Sequence, residues 1–262
     1  MKNDYIWQES IKTKNPASSP AFTSGRGNSG TTTQIYDIYL NYQRKLKYFE
    51  LERIISKDRI SPYLSKHSGD AEKALNHYKA NIRISEAFYS LLSVLEIGLR
   101  NNIDNQLKRI FKVAEWYDHP DFIKYVSSFQ IDRIQEARSN ILREKKIITA
   151  NKIVAELTFG FWTSLFDTKF DKTLWKDLRF AFPKCPKAIR QRKTICSKLN
   201  SIRKLRNRIF HHESISWSIS ALKDYRNEIT ETIDWLDGDL VNYFKDTFRI
   251  DKVLQNEEIH IK

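Results

Sequence analysis

Apolar residues recur along this chain at intervals of three and four, and nowhere alternate for more than a few residues. That period belongs to helices. The strongest stripe is Ile84, Phe88, Leu91, Leu92, Leu95, Leu99 and Ile103. It predicts the longest helix, opening at Asn81 or Ile82 and running to about Phe111. Upstream, residues 39–57 mix aromatics with alternating charge in a helical pattern. Ser61-Pro62 predicts a helix start, with serine as cap and proline in the first helical position. Gly69-Asp70 should end that short helix and cap the next. His119-Pro120-Asp121 breaks the chain, and a charged helix follows over about 132–145. A shorter apolar helix is expected over 153–166, around Phe159-Gly160-Phe161-Trp162. Pro183 and Pro186 bracket a turn. One helix is then expected over about 187–212, and two amphipathic helices, near 218–236 and 240–248, close the chain. The expected class is all-α, with no internal repeat.

The first 33 residues break this pattern. The stretch 15–33 reads NPASSPAFTSGRGNSGTTT and has almost nothing to bury. It predicts a disordered basic tail over 1–33, followed by a single helical domain over 34–262.

Composition narrows the partners. The chain has 262 residues, a formal charge of +13 and a pI near 9.6. Such a balance suits a polyanion, nucleic acid before anionic lipid; its bland meaning is a protein kept apart by like charge. Cys185 and Cys196 have no histidine or third cysteine nearby, so neither a metal site nor a cofactor is expected. The N-terminus lacks the apolar core of a signal peptide. The longest apolar stretch, 87–99, is interrupted by Glu96 and too short to span a bilayer. The expectation is a cytoplasmic protein with no membrane.

The chemistry concentrates in Arg206-Asn207-Arg208-Ile209-Phe210-His211-His212-Glu213. A guanidinium stays charged and forks onto phosphate; an imidazole moves protons near neutral pH. Arg206 is the only arginine in the chain followed by histidine after four to six residues, and it has two, His211 and His212. Asn207 and His211 are four apart, so on a helix the amide could orient the ring. Stepping 100° per residue puts Ile195, Leu199, Ile202, Leu205, Ile209 and Phe210 in one arc, with Arg206 at its centre. Arg203, Arg208, His211 and His212 fall outside it, and Asn207 lies at its edge. A guanidinium on an apolar face needs a carboxylate, a phosphate or a wet interface, or else snorkels. Glu96, beside the long stripe, is the best internal partner, though it could equally pair with Arg100 one turn on. A histidine ending a helix also serves simply as a cap, the plainer meaning of His212. His67, His77, His119 and His260 stand alone and are expected in loops or on the surface.

Three stretches resemble the HEPN superfamily of helical ribonucleases, whose signature is arginine, four to six residues, then histidine. More narrowly, they resemble its Abi-like, abortive-infection branch. They are NIRISEAFYSLLSVLEIGLRN at 81–101, ELTFGFWTSLF at 156–166 and IRKLRNRIFHHES at 202–214. The similarity covers about 61–235. It implies a HEPN-like bundle with extra helices, a metal-independent endoribonuclease, and a homodimer in which two Arg-His sets share one composite cleft. It also implies a bacterial anti-phage or toxin role, held in check by an inhibitory RNA, a protein partner or a phage trigger. On that basis Arg206 holds the scissile phosphate and His211 transfers the proton. Asn207, His212 and Glu96 support them, and Arg203, Arg208 and Arg100 guide the RNA. The competing class is a non-catalytic RNA-binding or protein-interaction module. A membrane-surface protein comes last, because residues 137–148 are basic without a clean apolar face.

Overall fold

The computed structural model describes Asp37, Ile38, Glu50 and residues 52–262. The chain divides between residues 46 and 47, and the second unit, residues 47–262, is compact. The tail expected over 1–33 and most of the helical pattern over 39–57 lie outside the described residues. Everything below concerns the second unit, which is all-α; no strand occurs among the described residues.

Two helices open the unit, α1 (Lys57–Lys66) and α2 (Ala71–Phe111). The joint between them is the one expected. Gly69 takes φ +83°, where a Cβ is strained. Asp70 then accepts hydrogen bonds from Glu72 N at 3.0 Å and Lys73 N at 3.1 Å. The start of α1 is not the one expected. Pro62 lies inside the helix rather than at its first position. It forfeits one backbone bond, but the turn before it carries Ile60 into a small core with Tyr63, Leu64, Ala71 and Ala74.

Helix α2 also starts ten residues earlier than its stripe suggests. The added turns continue the same buried face with Ala74, His77, Ala80 and Asn81, which a count of large apolar residues passes over. At 41 residues α2 is about 60 Å long and forms the spine of the unit. Every member of the stripe from Ile84 to Ile103 is buried.

Short helices wrap its C-terminal half. They are α3 (Pro120–Tyr125), α4 (Ser128–Arg143), α5 (Ala150–Glu156), α6 (Phe159–Ser164) and α7 (Trp175–Leu178). His119 caps α3, with its Nδ1 accepting from Asp121 N at 3.2 Å and Pro120 first in the helix. The single helix expected over 153–166 is two. Thr158 leaves the helical conformation and caps α6, and the Trp162 indole donates to the Leu157 carbonyl at 3.1 Å, satisfying a group exposed by the break. This region supplies the aromatic part of the core, with Trp116, Phe122, Phe161 and Trp162 in edge contacts.

Four helices complete the unit: α8 (Arg192–Phe210), α9 (Ile219–Leu236), α10 (Leu240–Phe244) and α11 (Ile250–Ile261). Helix α8 packs on α6 and α9, while α9 and α11 pack along α2. The sequence pattern did not predict α11. It buries Ile250, Leu254 and Ile261, and Glu257 takes a two-pronged bond from Arg83 of α2, at 2.6 and 2.8 Å.

Candidate functional site

The Arg-His motif sits where α8 ends. The helix is shorter at both ends than the expected 187–212. Residues 187–189 form the turn after Pro186, and Gln191 is the first cap. At the far end the helix stops at Phe210, so both motif histidines lie beyond it. His211 is the C-cap, and its N–H donates to the Asn207 carbonyl at 2.9 Å. His212 takes φ +57°, a left-handed conformation that usually falls to glycine. Its N–H donates to Ile209 O at 3.0 Å, and Glu213 N–H donates to Arg208 O at 2.8 Å. Those two bonds make a Schellman stop with histidine in the glycine position. Both imidazoles are exposed.

The buried face of α8 is Ile195, Leu199, Ile202, Leu205 and Ile209. Phe210, placed in the same arc by the wheel, is 42% exposed. Arg206 lies at the border of that face, with its side chain 28% exposed. Its Nε stands 3.7 Å from a Glu96 oxygen on α2, so the expected partner is present as an ion pair. That distance is too long for a hydrogen bond, and the buried Nε has no hydrogen-bond partner. The guanidinium carbon lies 4.1 Å from the centre of the Phe210 ring. The alternative pairing of Glu96 with Arg100 is not formed; Arg100 donates to Asn101 at 3.4 Å.

The other expected site residues divide. Asn207 is exposed, and among the described residues its amide forms no hydrogen bond with the His211 ring; the two meet only through the backbone. A fixed ring therefore does not follow from the i, i+4 spacing, because the helix has ended by His211. Arg208 is turned to structural use, donating to the Ser214 carbonyl and lying 3.5 Å from Glu213. Arg203 forms no ion pair among the described residues and lies partly exposed on α8.

The segment after the motif is held by residues the sequence did not single out for this site. Asn81 of α2 is buried, and its carbonyl oxygen accepts from Ile215 N at 2.8 Å and Ser216 N at 3.1 Å. The Ser214 hydroxyl lies 2.6 Å from the Tyr63 hydroxyl. Arg59 donates to the His212 carbonyl at 2.6 Å. His77, expected at the surface, is fully buried, and its Nε2 lies 2.8 Å from the Ser216 carbonyl. A carbonyl only accepts, so His77 Nε2 carries the proton. In the neutral ring Nδ1 is then an acceptor, and His67 Nε2–H donates to it at 3.0 Å. Burial pushes the His77 pKa down, outweighing the Ser216 bond; burial and Lys66 lower that of His67. The signal for Asn81 and His77 was their spacing to Ala74, Ala80 and Ile84 on one helix face.

Beside the motif, α2 and the end of α8 border a mostly apolar groove of about 440 Å³. Both cysteines are free. Among the described residues no group of three or more His, Cys, Asp or Glu is placed to hold a metal ion. No described helix is long and apolar enough to cross a membrane. Set against protein-family models, curated proteins and solved structures, the chain matches none.

Proposed function

We propose that this chain is a metal-independent endoribonuclease of HEPN type, acting in bacterial abortive infection or as a toxin. One observation carries the reading: Arg206 is a half-buried guanidinium whose N–H groups form no hydrogen bond among the described residues, one turn before two exposed histidines. A buried donor without an acceptor is costly, and a phosphate would supply the missing oxygens.

The chemistry needs little else. The 2′-oxygen of RNA attacks the adjacent phosphorus, the bond to the 5′-oxygen breaks, and a 2′,3′-cyclic phosphate and a 5′-hydroxyl result. One group takes the 2′-hydroxyl proton, another gives a proton to the departing 5′-oxygen, and positive charge steadies the non-bridging oxygens. His211 transfers a proton and Arg206 holds the phosphate, with Glu96 steering the guanidinium. In a homodimer the second copy's His211 supplies the other proton. Arg203 and Arg100 add charge along the RNA path. Activity of this kind needs control in a cell, by an inhibitory RNA, a protein partner or an infection signal.

The test is cleavage of labelled single-stranded RNA in EDTA. Wild type should cut, and Arg206→Ala and His211→Ala should each lose about 100- to 10,000-fold with the helical signal intact. A second reading, an RNA-binding module without catalysis, is favoured by the absence of any bond from Asn207 to the His211 ring. It predicts salt-dependent RNA binding by wild type and no strand loss.

A further inference from the structure

The groove beside the motif is unused by the chemistry above. Its walls are Tyr78, Ile82, Ser85 and Tyr89 of α2, and Ile209 and Phe210 of α8. Its size falls within the ~300–1,000 Å³ of ordinary ligand clefts. Three of its apolar side chains stay open: Tyr89 is 58% exposed, Ile82 52% and Phe210 42%. The Tyr89 and Phe210 rings lie 6.1 Å apart and tilted by 39°.

Phe210 joins this groove to the phosphate site, since the same ring lies 4.1 Å from the Arg206 guanidinium. His212 lines the groove, and its carbonyl is held by Arg59. Two of the polar side chains at the groove are committed. The Asn81 oxygen serves two backbone N–H groups, and Glu86 is paired with Arg249 at 2.9 Å. The Ser85 hydroxyl forms no hydrogen bond among the described residues and can serve a ligand edge.

We propose that this groove is a nucleobase subsite, in which an unstacked base of single-stranded RNA packs on Tyr89 and Phe210 while its phosphate meets Arg206. The proposal rests on the ribonuclease reading above and names its substrate as single-stranded. A flat, apolar-faced ring with a polar edge suits aromatic walls that also carry the hydroxyls of Tyr78, Ser85 and Tyr89. Charge selects the occupant. Arg59 and Arg206 each contact a wall residue, His212 and Phe210 respectively, and the chain carries +13, so a polyanion is attracted. A base in a duplex is stacked and paired and does not reach such a slot.

The experiment measures binding by fluorescence anisotropy at fixed salt. The probes are a 2′-O-methyl oligouridylate, which resists cleavage, and an abasic 2′-O-methyl oligomer of equal length. Wild type should bind the oligouridylate more tightly. Tyr89→Ala should weaken that binding roughly five- to a hundredfold and leave abasic binding unchanged. Tyr89→Phe should behave as wild type, and Ser85→Trp, which fills the groove from one turn earlier on the same α2 wall, should reproduce the loss. Equal effects on both probes, or none on either, would overturn the subsite while leaving the ribonuclease reading standing. Failure of wild type to bind either probe would remove both. Sedimentation run in parallel covers the rival occupant: a shift from dimer to monomer in Tyr89→Ala would assign the groove to a second copy and overturn the proposal.

Discussion

Asn81→Ala removes a side chain that, with His77, ties α2 to the backbone just after the motif. Its carbonyl oxygen is the acceptor for two N–H groups, Ile215 at 2.8 Å and Ser216 at 3.1 Å. Its amide also reaches the Glu213 carbonyl, though at 3.4 Å that bond is weak. Asn81 is buried, as are Ile215 and Ser216. Alanine would leave two buried donors unpaired, each costing ~1–3 kcal/mol. Asn81 also lines the groove, so water can enter from that side and recover part of the loss. The expected destabilisation is therefore about 2–4 kcal/mol. Urea unfolding should show a lower midpoint with an unchanged slope, and hydrogen exchange should speed up at the Ile215 and Ser216 amides. A loss below about 0.5 kcal/mol, the size of an ordinary surface change, with those two amides still protected, would refute the assigned role.

Three other outcomes are expected. His77 and His67 both have pKa values below the ordinary 6.5 in the folded protein. The folded state thus binds fewer protons than the unfolded one, and this stability is complete above about pH 6.5 and lost as pH falls below it. His77→Gln, which can still donate to Ser216, should flatten the stability profile between pH 7 and 5; an unchanged slope would show that the pair is not the source. His212→Gly should relieve the left-handed strain, which costs roughly 1–2 kcal/mol, against glycine's own entropy of about 0.5–1 kcal/mol. Stability should hold or rise, and RNA cleavage should persist; cleavage lost in a folded His212→Gly would move the proton transfer from His211 to His212. Glu96→Gln breaks an ion pair whose side chains are both about 30% exposed, so unfolding free energy should fall by under about 1 kcal/mol. RNA should then bind more weakly, since the guanidinium is no longer steered; tighter binding would show that the carboxylate only competes with phosphate for Arg206.

The large apolar stripe of α2 and the Gly69-Asp70 joint were legible because each rests on short-range rules of periodicity and capping. So was the Glu96–Arg206 pair, because a charge on an apolar face demands a partner. Where the pattern misled, tertiary contacts had overridden it. Pro62 is kept inside α1 because Ile60 and Tyr63 need that turn to reach their small core. Ala74, His77 and Asn81 lengthen α2 without adding bulky apolar residues, so the stripe seemed to begin at Ile84. Helix α11 has a short stripe of its own, Ile250, Leu254 and Ile261, but the buried Glu257 interrupts it, and its partner Arg83 lies 174 positions away. At the site, the spacing of Asn207 and His211 assumed a helix that the left-handed His212 stops one residue sooner. His77 was passed over for a related reason: a lone histidine reads as a surface residue until a distant carbonyl, that of Ser216, explains its burial.

The central claim is that a 2′-hydroxyl is the nucleophile and that Arg206 and His211 serve it. The most direct measurement is end-group analysis of the products from single-stranded RNA cut in EDTA, beside the same sequence as DNA and as 2′-O-methyl RNA. The account predicts 2′,3′-cyclic phosphate and 5′-hydroxyl ends from RNA alone, absent with Arg206→Ala and with His211→Ala. Products bearing 3′-hydroxyl and 5′-phosphate ends, or DNA cut at a similar rate, would contradict it.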